Sequence, residues 1–112
     1  MSCKSRTANS PPARPSISDR ARWLGSDPAS FGAIYRMLIG TNLEPEFPRI
    51  GCPVLVTAGT FDRVRPPHLV EPVARAIPGA HYAVLETAHY APVQTPELYA
   101  RTIAEFLDAA GA

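Results

Sequence analysis

A chain of 112 residues and 12.1 kDa has room for one domain at most, with a small core. Its formal net charge of +1 gives no electrostatic case for nucleic acid, which normally selects a clustered basic face. A hydrophobic fraction of 46% and a mean hydropathy of -0.06 fit an ordinary soluble globular chain, and no stretch is apolar for long enough to span a membrane.

Residues 1–18, MSCKSRTANSPPARPSIS, carry Lys4, Arg6 and Arg14, no acid, and many Ser and Pro. An apolar h-region is missing, so this is not a secretory signal. The composition partly fits a mitochondrial presequence, but three prolines oppose the amphipathic helix that such a signal needs. The segment reads as a disordered tail. The two cysteines, Cys3 in this tail and Cys52 ahead of an apolar run, form no framework and suit a reducing cytosol.

From residue 19 the chain looks folded. Asp27 as N-cap, Pro28 as first helical residue and Gly40 as stop predict a helix. Phe31, Ile34, Tyr35, Leu38 and Ile39 give it one apolar face, which Trp23 and Leu24 extend. Pro45 and Pro48 mark a connector. Residues 53–58, PVLVTA, form an apolar run closed by Gly59, the pattern of a strand buried on both faces of a parallel sheet. A helix follows from Pro66-Pro67 to Ile77, and Pro72 inside it is expected to kink it or delay its start. A second strand covers 80–86, and a last helix begins with Thr95 as N-cap and Pro96 as N1. Strand, helix, strand, helix predicts two neighbouring parallel strands joined by a right-handed crossover.

That order puts Asp62 just past the C-terminal end of the first strand and His89 just past that of the second. Open α/β sheets bind ligands outside these strand ends, and adjacent strands lie about 5 Å apart, so the two loops meet. An aspartate that accepts a hydrogen bond from Nδ1–H fixes the imidazole tautomer and leaves Nε2 free as a general base. Taken singly, Asp62 is as well read as a loop carboxylate paired locally with Arg63 or Arg65, and His89 as a hydrogen-bonded loop residue. Together, at equivalent strand ends, they read as an acid–base pair. His68 and His81 are expected to face solvent. A metal site built from Asp62, His68, His81 and His89 lacks ligand spacing on any one element.

The stretch from Cys52 to Leu107 resembles the C-terminal end of an α/β-hydrolase-fold protein. The resemblance rests on Gly59-Thr60-Phe61-Asp62 as the turn carrying the acid, and on His89 followed by Pro96-Glu97 as a helix start. Residues 26–53 resemble the lid end and strand entry of the lactonase and esterase branch, including enol-lactonase-like members. This resemblance implies a partial α/β-hydrolase fold, with two parallel strands, flanking helices and a lid-end helix. It divides the chain into a disordered tail (1–18), a lid-end helix and connector (19–49) and the C-terminal part of the hydrolase domain (50–112).

The implied function is that of a C-terminal portion of a serine-type hydrolase of carboxylic esters or lactones. His89 serves as base and Asp62 as orienting acid, with no cofactor, and the substrate of the full-length parent is a small ester or lactone. The location implied is cytoplasmic. Two departures qualify this. Ala88 stands where the family usually has glycine, which requires a negative φ there. None of Ser2, Ser5, Ser10, Ser16, Ser18, Ser26 and Ser30 sits in a Gly-x-Ser-x-Gly elbow, and the upstream oxyanion-hole loop is missing. The isolated chain is therefore expected to be inactive. The alternative is a non-catalytic module or remnant of the same fold that pairs with another chain. In either case the 53–58 strand has an open edge, through which self-association is expected.

Overall fold

The computed structural model describes residues 17–111. The expected tail lies outside these residues, apart from its last two positions, with which helix α1 begins. In chain order the elements are α1 (Ile17–Leu24), α2 (Pro28–Gly40), a 3-10 helix (Glu44–Arg49), β1 (Leu55–Gly59), α3 (Pro67–Ala76), β2 (His81–Leu85), α4 (Ala91–Gln94) and α5 (Pro96–Ala109).

β1 and β2 pair in parallel, with Leu55 opposite His81 and Gly59 opposite Leu85. The crossover between them is α3. Alternation along β2 sends Tyr82 toward α3, where its hydroxyl donates to the Pro67 carbonyl at 3.0 Å. The same alternation sends His81 toward α5, where its ring meets Phe106 edge-on at 5.9 Å. Helices thus flank the two-stranded sheet on both faces. Its small core is Ala58, Ala74, Ile77 and Leu85, each at most 9% exposed.

Among the described residues no other strand pairs with this sheet. Bonds from the His81 N–H to the Val54 carbonyl and from the Thr60 N–H to the Leu85 carbonyl turn the even-numbered residues of β1 toward β2. The N–H and C=O groups of Leu55 and Thr57 therefore point to the free edge.

α2 forms as its sequence signals require. The Asp27 carboxylate accepts from the Ser30 N–H at 2.8 Å, Pro28 opens the helix, and Gly40 is its last residue. The Ser30 hydroxyl, together with this cap bond, holds the Asp27 carboxyl below the usual carboxylate range. No residue of α2 is buried. Its apolar face meets Trp23 of α1 through a Trp23–Phe31–Tyr35 run of rings with centroids 5.3 and 4.6 Å apart.

The start of α3 is not delayed by Pro72. The helix runs unbroken through it from Pro67. The bond that Pro72 fails to donate would have gone to the His68 carbonyl, and both residues lie on the exposed side of the helix, where water replaces it.

Candidate active site

Asp62 is fixed by a turn closing β1. Its N–H donates to the Gly59 carbonyl at 3.0 Å, and the chain then bends so that the Val64 and Arg65 amides, each 2.8 Å away, donate to Oδ1. This leaves Oδ2 pointing across the strand ends. The His89 ring stands there, with Nδ1 2.9 Å from Oδ2. The two residues are 27 apart in sequence, the length of one crossover helix and one strand.

The carboxylate is nearly enclosed, with 9% of its side chain exposed, whereas the imidazole is 41% exposed. Burial pushes the Asp62 carboxyl up. The Arg65 N–H, the His89 ring and the Val64 N–H outweigh burial, helped by the charge the ring carries when protonated, and hold the carboxyl below its usual range. An ionised carboxylate only accepts hydrogen bonds, so the short contact places a proton on Nδ1. A neutral His89 then carries its lone pair on Nε2, and a lone pair there on a half-exposed ring is free to take a proton from a neighbouring hydroxyl or water.

Tyr90 packs its ring edge-on against His89, with centroids 5.3 Å apart, and Gln94 accepts a hydrogen bond from the Tyr90 N–H at 3.0 Å. Ala88 has no positive φ, so the loop accommodates the missing glycine without strain. His68 and His81 are both exposed and take no part in this contact. Ser26 donates its hydroxyl to the Arg22 carbonyl, and Ser30 lies in the Asp27 cap. Ser2, Ser5, Ser10, Ser16 and Cys3 lie outside the described residues. Among those described, no three His, Cys, Asp or Glu residues cluster as metal ligands, and no helix is long and apolar enough to cross a membrane.

Comparison with solved structures finds α/β hydrolases. An α/β hydrolase from the metagenome of sediments of the Mar Chica lagoon, Morocco, superposes with a TM-score of 0.68 over 86% of this chain and 42% of its own, at 24% identity. The chain carries part of the α/β-hydrolase fold. Two neighbours of that fold are nearer in sequence. The enol-lactonase from Burkholderia xenovorans LB400 is 33% identical with a TM-score of 0.58, and a thermophilic esterase from Thermogutta terrifontis is 32% identical with a TM-score of 0.58. Each match covers 62% of this chain and 26% of the neighbour, so this portion of the hydrolase fold spans about a quarter of either enzyme. No family model matches the chain, and no curated protein matches it.

Of the sequence-derived site residues, the fold brings Asp62 and His89 together. Sequence reading missed the backbone clamp on Oδ1 and, though Tyr90 was placed beside the site, its ring contact with His89. The first had a faint signal, since an aspartate two and three residues ahead of free amides commonly closes an Asx turn.

Proposed function

We propose that this chain supplies the acid and the histidine of a serine-type hydrolase site for carboxylic esters or lactones, and that it carries no nucleophile of its own. The observation that supports this most is the 2.9 Å Nδ1–Oδ2 contact at the C-terminal ends of adjacent parallel strands. In the complete site, Nε2 of His89 takes the proton of a serine hydroxyl as its oxygen attacks the ester carbonyl, and later returns it to the leaving alkoxide. Asp62 holds the ring in the Nδ1–H tautomer and steadies the imidazolium between these steps. The enol-lactonase and esterase neighbours support a small-molecule ester or lactone as the substrate class.

The isolated chain is expected to show no turnover of activated esters above a denatured control. Grafting residues 50–111 in place of the matching segment of the Thermogutta esterase is expected to restore turnover, which Asp62→Ala or His89→Ala then abolishes. A folded chimera that binds substrate but does not turn it over would reject the proposal. So would turnover by the isolated chain that vanishes in the same variants.

The free edge of β1 favours a second reading, in which the chain is a non-catalytic module that pairs with itself or another chain. The outward N–H and C=O groups of Leu55 and Thr57 offer a ladder for strand addition. Sedimentation at tens of micromolar, roughly the range in which open edges associate, is expected to show oligomers. Thr57→Pro removes an outward N–H and is expected to disperse them. A stable wild-type monomer would remove this reading.

A further inference from the structure

Thr87 is the most enclosed side chain among the described residues, at 2% exposure, and the acid–base chemistry above makes no use of it. Loops at strand ends normally lie in solvent, and a buried hydroxyl is costly unless it is hydrogen-bonded. Its partner is the Thr95 hydroxyl, with the two Oγ1 atoms 2.7 Å apart, and Thr95 Oγ1 also lies 3.3 Å from the Ala91 carbonyl, which can take its proton.

Thr95 occupies the N-cap position of α5, where a threonine ordinarily accepts from an amide of the first turn. It makes no such bond. With φ −141° and ψ 61° it turns its hydroxyl inward instead. The helix gives up its side-chain cap for a contact with Thr87.

The backbone of Thr87 is held as firmly. Its carbonyl accepts from the N–H of Phe61 at 3.0 Å, and Phe61 is the residue before Asp62. Its own N–H donates to the Leu85 carbonyl at 2.8 Å. Opposite it, Gly59 fits only because it lacks a side chain. A Cβ there would stand 2.6 Å from the Thr87 oxygen and 3.2 Å from that of Ala88. The residue is thus tied to the acid turn by its carbonyl and to α5 by its hydroxyl, and His89 follows two positions later.

We propose that Thr87 is a positioning residue, anchored by Thr95, which sets the His89 loop against the Asp62 turn. The inference rests on reading Asp62 and His89 as an acid–base pair. A half-exposed imidazole has little packing of its own to locate it, so its place is set by the backbone that carries it. A displacement of about 1 Å is enough to break a hydrogen bond of this length and to cost catalytic alignment.

The test reads the His89 ring by nitrogen-15 NMR in the full chain, below the melting temperature of every variant. Wild type is expected to show the Nδ1–H tautomer. Thr87→Val, which keeps the shape and removes the hydroxyl, is expected to lose that signal while staying folded, and Thr87→Ser is expected to retain it. Thr95→Val, at a half-buried site, is expected to repeat the loss, with nothing further lost in the double variant. Should Thr87→Val fail to fold, the Thr95→Val and Thr87→Ser pair decides the matter alone. Retention of the Nδ1–H signal in the folded valine variants would overturn the inference, as would equal loss in valine and serine. A wild type without that signal would overturn the acid–base pair and the role of Thr87 together. A wild-type signal untouched by either valine would overturn only the latter.

Discussion

The two helical regions of this molecule are built by the same local rules and end in opposite conditions. α3 and α2 both open with a proline and both carry an apolar stripe. α3 lies against the sheet and buries Ala74, whereas α2 buries no residue and leaves Ile34, Met37 and Leu38 more than half exposed. The difference lies in what stands opposite. A periodic stripe is sufficient for a helix, but burial needs a partner surface, and the sheet supplies one for α3.

The contrast is sharpest in paired substitutions. Leu85→Ala removes a side chain that is 9% exposed and is expected to cost about 2–5 kcal/mol. Leu38→Ala, at 55% exposure, is expected to change stability by less than about 0.5 kcal/mol. Urea unfolding of both variants checks this, and equal losses would mean that α2 packs as tightly as the sheet.

Glycine tests the same division at backbone level. Gly59→Ala drives a Cβ into the Thr87 carbonyl and is expected to destabilise by about 1–3 kcal/mol. Gly40→Ala meets nothing within 4 Å and, at the end of a helix, is expected to be neutral or to stabilise by up to about 1 kcal/mol. Thermal melts of the two variants are expected to move apart, and a shared shift would place Gly59 in open space.

A smaller effect should appear in acid. The Asp62 carboxyl is held below its ordinary value of about 3.9. Its contribution to stability is therefore complete above that pH and is lost as pH falls through the lower folded value. Asp62→Asn is expected to flatten the stability profile below about pH 4, while Asp27→Asn, on an exposed cap, changes it less. Identical acid profiles for wild type and Asp62→Asn would contradict the clamp around Oδ1.

The parts of the fold legible in the sequence are those with local causes. Asp27-Pro28 and Thr95-Pro96 mark helix starts within the chain itself, and the apolar run ending at Gly59 marks a buried strand. Asp62 and His89 were legible because the βαβ order dictates that consecutive strand ends meet. α1 and the four-residue α4 were not, since neither has a long enough stripe to signal it, and α4 has no side-chain cap. Thr87 was hidden for a different reason. A threonine in a loop ordinarily reads as solvent-facing, and only the folded approach of α5 buries it. Thr95 misled in the same way, because an N-cap position does not reveal that its hydroxyl is used elsewhere.

The central claim is that Asp62 orients His89 as a base, and the ring nitrogens of His89 report on it directly. In nitrogen-15 spectra of the neutral imidazole, the account expects the proton on Nδ1 and an unprotonated Nε2 in the wild-type chain. Asp62→Ala should then shift the ring toward the Nε2–H tautomer that free histidine prefers. A wild-type ring already protonated on Nε2, or a tautomer unchanged by Asp62→Ala, would contradict it.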